Sequence, residues 1–112
     1  PSGTTVGLRG IWGSAANDVF AVGSEGTIVH YDGRSWNPMT SGTTAFLSSV
    51  AGSSSQDVFA VGRDGTIVHY DGSAWRPMSR GTTDPLYSVW ARSADEVFAL
   101  GKGGLYRYGP AR

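Results

Sequence analysis

The sequence predicts an all-β fold, a β-propeller of four-stranded antiparallel meander blades, about three blades in 112 residues, the last lacking its outer strand. Three observations predict it. A unit of 39 residues recurs. Each unit divides into short apolar runs bounded by turn residues. The central runs are apolar on both faces, as strands covered on both sides must be.

The repeat is explicit. Gly3-Thr4-Thr5 returns as Gly42-Thr43-Thr44 and Gly81-Thr82-Thr83; DVFAVG at 18–23 returns at 57–62 and as EVFALG at 96–101. GTIVHYDG at 26–33 returns unchanged at 65–72, and Trp36, Pro38 and Met39 return as Trp75, Pro77 and Met78. Of 39 positions, 23 are identical between the first two units. A period of ~40 residues built from short runs marks propeller blades, whereas helical repeats need long stretches with a 3.6-residue period. The units are 3–41, 42–80 and 81–112, within a single partial-propeller domain spanning 1–112.

The first strand of each unit is expected at Leu8 to Trp12, Leu47 to Ala51 and Leu86 to Trp90. A small-residue loop, Gly13 to Asp18 in the first unit, follows it. The second strand is expected at Val19 to Val22, Val58 to Val61 and Val97 to Leu100. The third is expected at Thr27 to Tyr31, Thr66 to Tyr70 and roughly Leu105 to Tyr108. The fourth is expected at Trp36 to Thr40 and Trp75 to Ser79. All are rich in β-branched and aromatic residues. Gly23 to Gly26 and Gly62 to Gly65 read as tight hairpins in which glycine supplies positive φ. Asp32-Gly33 and Asp71-Gly72 turn the third strand into the fourth.

The third unit has no counterpart of Asp32-Gly33 or of Trp36 to Met39, and Pro1-Ser2 matches only the tail of a fourth strand. Three blades do not close a ring, since propellers use 4–8. Two chains would supply six. A head-to-tail homodimer with a six-bladed ring is therefore the favoured assembly, and a piece of a longer propeller is the other reading.

Composition excludes several function classes. Lys plus Arg equals Asp plus Glu at nine each, so no basic surface draws the chain to nucleic acid or to an anionic membrane. Without cysteine there are no disulfides, no thiol catalysis and no cysteine-bound metal. No apolar run reaches the ~20 residues of a membrane helix.

The stretch DVFAVG-x-x-GTIVHYDG-x-x-W resembles bacterial propeller repeats found in large secreted or surface proteins, and the resemblance implies a secreted or cell-surface setting. Asp32-Gly33-Arg34-Ser35-Trp36 also resembles the Asp-box hairpin of sialidase-like propellers, with one residue fewer between Asp and Trp. In that family the box is a structural turn. A short chain of propeller repeats is similar in architecture to six-bladed sugar-binding lectins, which implies a carbohydrate ligand between blades. Their Arg, acidic and Trp site does not map here, since the third strand offers Val29 and His30 and no Glu.

Candidate chemistry is sparse, and no enzyme activity and no cofactor are expected. His30 and His69 recur in successive blades, on different sheets, so they read as strand histidines rather than ligands of a shared metal. Asp18, Asp32, Asp57 and Asp71 recur at turns and are expected to cap backbone amides. Trp36 and Trp75 are expected to anchor outer strands, and Trp12 and Trp90 to line a channel or a sugar site. Positions that differ between units carry more information, because loops on a rigid scaffold carry function. Glu25, Phe46, Arg63, Asp64, Asp84 and Lys102 fall on the loop face and form the expected ligand surface, with Ser24, Ala45 and Pro85 beside them. The leading function is a non-enzymatic interaction scaffold with a protein ligand. A lectin and a fragment of a larger enzyme's propeller are the alternatives.

Overall fold

The computed structural model describes residues 8–54, 56–78, 84–93 and 96–108. The boundary between the second and third units, the third Gly-Thr-Thr and both chain ends lie outside the described residues. Eleven strands form three separate antiparallel sheets among the described residues.

The first sheet comprises β1 (Leu8–Ala15), β2 (Asp18–Gly23), β3 (Ile28–Tyr31) and β4 (Trp36–Met39), in that spatial order. The second repeats it with β5 (Leu47–Ser54), β6 (Asp57–Gly62), β7 (Ile67–Tyr70) and β8 (Trp75–Pro77). The third holds β9 (Leu86–Ser93), β10 (Glu96–Gly101) and β11 (Gly104–Tyr108), with no fourth strand among the described residues. The fold is thus a β-propeller arc of three blades. The inner strands β1, β5 and β9 pack on one another in sequence.

Period-two alternation makes the arc. Along β6, Val58 and Ala60 point to the first blade, while Phe59 and Val61 point to the third. Ile67 and Val68 on β7 divide the same way. One core cluster joins Phe20, Val22 and Ile28 of the first blade to Leu47, Val50, Val58, Ala60, Val68 and Trp75 of the second. The other joins Ala51, Phe59, Val61 and Ile67 to Leu86, Val89, Val97 and Ala99 of the third. Burying each large apolar side chain contributes about 1.5–3 kcal/mol, so these junctions hold the sheets together.

The first strands run longer than their composition suggests. Gly13 pairs with Val19 and Ala15 with Asp18, with a register shift between Gly13 and Ala15, and Gly52 to Ser54 repeats the irregularity. The small-residue stretch is therefore a bulged strand end, not a loop. Pairing to a strong β-former such as Val19 overrides weak local propensity.

Candidate functional site

The β2–β3 and β6–β7 hairpins stand at one end of the blades, and their conformation fixes what they present. Glu25 has φ 59° and ψ 33°, and Gly26 has φ 69°. Thr27 N–H donates to the Ser24 carbonyl at 3.0 Å. Asp64 and Gly65 repeat this at φ 60° and 70°. Two successive positive φ angles make a type I′ turn, whose twist matches the flanking strands. The turn lifts the Glu25 and Asp64 side chains clear of the sheet, and both are exposed.

Between these turns runs the segment 43–46, entering β5. Buried Ser41 holds it, its hydroxyl donating to the Thr43 carbonyl at 3.0 Å. Ala45 N–H donates to Thr43 Oγ1 at 3.1 Å, and Arg63 N–H to the Phe46 carbonyl at 3.0 Å. A Cβ on Gly62 would stand 1.8 Å from that carbonyl oxygen, so only glycine permits this approach. The result is an open groove of about 580 Å³, lined by Glu25, Thr43, Thr44, Phe46, Arg63 and Asp64 among others. The Arg9 and Arg63 guanidinium carbons lie 5.6 and 5.2 Å from the Phe46 ring centroid. Cation–π attraction of about 0.5–1 kcal/mol per exposed contact holds the ring and both cations together. The groove therefore offers an aromatic platform, guanidinium donors, carboxylate acceptors and threonine hydroxyls.

Glu25, Phe46, Arg63 and Asp64 come together in this groove. Asp84 and Lys102 occupy the corresponding part of the third blade, where Lys102 N–H donates to the Pro85 carbonyl at 3.1 Å. Sequence reasoning left out Arg9, Thr43, Thr44 and Thr66. The threonines belong to strings shared by the first two units, so they carried no signal of difference. Arg9 did carry one, because its counterparts are Ser48 and Tyr87.

Trp12 and Trp90 are separated. Trp12 is half-buried between the first two blades, touching both core clusters, and a Cβ on Gly52 would lie 2.9 Å from its ring. Trp90 is exposed, stacked on Phe98 at 5.8 Å.

The aspartates divide into two kinds. Asp32 Oδ1 accepts from the backbone N–H of Arg34 and of Ser35 at 2.9 and 3.0 Å, and Asp71 Oδ1 from those of Ser73 and Ala74 at the same distances. These amides hold the Asp32 carboxyl below its ordinary range. At Asp71 the Ala74 and Ser73 amides, joined by the Arg76 side chain, bring it to about 2. Asp18 and Asp57 do something else. Asp18 accepts from the Ser14 hydroxyl and sits 2.6 Å from His30 Nε2; Asp57 does the same with Ser53 and His69. A carboxylate only accepts, so each histidine carries its proton on Nε2. Burial works against the Asp18 charge, yet the Ser14 and His30 hydrogen bonds and the nearby imidazole together lower its pKa. The side chains of Asp18 and His30 meet as a diagonal cross-strand pair, because Phe20 stands opposite His30. Phe20 and Phe59 lie against these imidazoles at 4.5 and 4.4 Å.

This Ser–Asp–His order differs from a nucleophilic triad, in which the imidazole lies between hydroxyl and acid and draws off the hydroxyl proton. Here the aspartate is in the middle, so the imidazole bonds the acid and not the serine. The arrangement pins the bulged strand end to the third strand. Among the described residues, no group of three His, Cys, Asp or Glu side chains is placed to hold a metal ion.

No protein-family model matches this chain, and no curated protein matches it in sequence. Solved structures do resemble it. One titled YCF48 bound to D1 peptide superposes with a TM-score of 0.81 at 18% identity, over 97% of this chain and 39% of that one. YCF48 from Cyanidioschyzon merolae gives 0.78 at 21% identity, over 96% of this chain and 35% of that one. The WD40 β-propeller domain of Doa1 gives 0.74 at 17% identity, over 96% and 38%. These likenesses show the propeller fold. The chain spans less than two-fifths of the length of each of these structures.

Proposed function

We propose that this chain is a non-enzymatic propeller scaffold that binds a polypeptide partner in the groove around Phe46. We further propose that a second copy completes its ring, in a head-to-tail homodimer of six blades. The groove carries the first part of the reading. An aromatic ring held under two guanidinium groups, with Glu25 and Asp64 across from it, suits a chain segment bearing both apolar and charged side chains. Aromatic and arginine residues supply most of the energy at protein interfaces. The similar propeller structure of YCF48 is bound to a D1 peptide, which supports a peptide ligand here. The bonding order Ser14–Asp18–His30 supports a scaffold, since it leaves the hydroxyl without a base.

The test is selection of a displayed random peptide library on the chain. Enriched peptides are expected to lose about tenfold in affinity or more on Phe46→Ala and Arg63→Ala, the loss typical of truncating an interface anchor. Arg34→Ala, in the turn at the opposite end of the first blade, should leave them unchanged. Peptides that bind all three variants equally, or a saturable monosaccharide titration of tryptophan fluorescence in place of peptide binding, would overturn the reading.

A further inference from the structure

The third blade's flank exposes an apolar face, and the first blade's flank exposes Ile11 among residues that match an internal junction. Strand register fixes the correspondence: Leu100 pairs with Leu105 as Val22 pairs with Ile28 and Val61 with Ile67. Ile67 is 3% exposed and Leu105 is 67%; Val61 is 1% exposed and Leu100 is 51%. Trp90 and Phe98 complete this outward face of the third blade, as Trp12 and Phe20 do in the first. The opposite flank shows the complement. Val50, which packs on the first blade, is 5% exposed, while its counterpart Ile11 is 69%.

What covers such a face is visible inside the molecule. The second blade covers the first with Leu47, Val50, Val58, Ala60, Val68 and Trp75. The first blade carries Leu8, Ile11, Val19, Ala21, Val29 and Trp36 at those places, identical at five of six; Ala21 and Val29 are already covered within the chain at 3% and 2%, while Ile11 is exposed and Leu8, Val19 and Trp36 are half-buried. The chain therefore carries a face on one flank and its matching counter-face on the other. Such a surface is heterologous, and it closes when the rotation per blade closes.

We propose that the Trp90–Phe98–Leu100–Leu105 face docks on the Ile11 face of a second copy, in the register with which the second blade packs on the first. The inference rests on the homodimer reading and adds the surface, the register and the polarity of the junction. Two copies then share two equivalent junctions.

Sedimentation velocity on the unaltered chain, on Leu105→Arg, on Ile11→Arg and on an equimolar mixture of the two variants tests it. The unaltered chain should sediment as a dimer. Each variant alone places an unpaired guanidinium in both junctions and should weaken association by about a hundredfold or more. The mixture should regain dimer, because one of its two junctions is then unaltered. Both substitutions fall on exposed positions, so each variant should keep its β-sheet circular dichroism; if either does not, Leu105→Thr and Ile11→Thr take their place. A dimeric parent whose variants also remain dimeric would overturn this junction and leave the homodimer standing. A monomeric parent would overturn both, and would mean that something other than a second copy covers these faces.

Discussion

The two internal junctions are built from nearly the same strings yet are held differently. Between the first and second blades the contact is aromatic. Phe20 lies 5.7 Å from Tyr70 and 6.0 Å from Trp75, the latter edge-on, and Trp75 Nε1–H points at Met39 Sδ at 3.4 Å. Between the second and third blades, among the described side chains, the inner strands are tied by hydroxyls. Ser48 Oγ donates to the Leu86 carbonyl at 2.5 Å, and Val89 N–H donates to Ser49 Oγ at 3.2 Å. The difference has two sources: the third unit has no counterpart of Trp75, and three inner-strand positions change. Arg9, Gly10 and Trp12 in the first unit become Ser48, Ser49 and Ala51 in the second. A repeat thus fixes the blade, while a few inner-strand residues and the outer-strand tryptophan set how each blade meets its neighbour.

The largest losses are expected from removing the ring at the centre of each junction. Phe20→Ala and Phe59→Ala should each cost about 3–5 kcal/mol in urea unfolding, the usual loss for a buried Phe. Phe20→Ala should cost more, because edge-to-face ring pairs add about 0.5–1.5 kcal/mol beyond area. Equal losses would mean that the aromatic junction has no advantage.

Next in size is the close approach at Gly62. Gly62→Ala pushes a Cβ into the Phe46 carbonyl and should destabilise by about 1–3 kcal/mol, the range for overpacking. The same variant should shift the Phe46 ring signals in NMR, since it moves the groove floor. Ser48→Ala should cost about 1 kcal/mol, one net hydrogen bond, and Arg9→Ala should leave the first junction's inner strands in place.

The smallest effects lie in the two Asp-Gly turns and depend on pH. The folded carboxyl of Asp71, near 2, sits below its ordinary value of 3.8. A depressed pKa contributes stability that is present above 3.8 and is lost as pH falls toward 2. Asp32 follows the same direction without an arginine partner. Arg76→Asn, which copies the first blade's Asn37, should raise the acid limb of the second turn toward that of the first. NMR titration of the two Asp side chains reads the shift, and identical titrations before and after would remove the Arg76 contribution.

Much of this was legible in the sequence because the repeat repeats its punctuation. The runs DVFAVG and IVHY are short, rich in β-branched and aromatic residues and apolar on both faces, and Asp32-Gly33 and Glu25-Gly26 mark the turns beside them. The bulged ends of the first strands were hidden, since Gly13-Ser14-Ala15 has no strand preference and is ordered by its partners Val19 and Asp18. The partners of Asp18 were hidden for a related reason. A short acid at a turn usually caps nearby amides, whereas here cross-strand geometry hands it a histidine from a strand twelve residues later. The groove was half legible: residues differing between units pointed to Phe46 and Arg63, but the shared threonines that line it could not stand out by difference.

The proposed closure of the ring makes the flanks of the arc the same kind of junction as those inside it, covered in solution by another copy. Thermal unfolding followed by circular dichroism over a hundredfold range of chain concentration tests it most directly. Self-association stabilises the folded state by mass action, so the midpoint should rise by about 5 °C across that range. A midpoint that does not move with concentration would contradict the account.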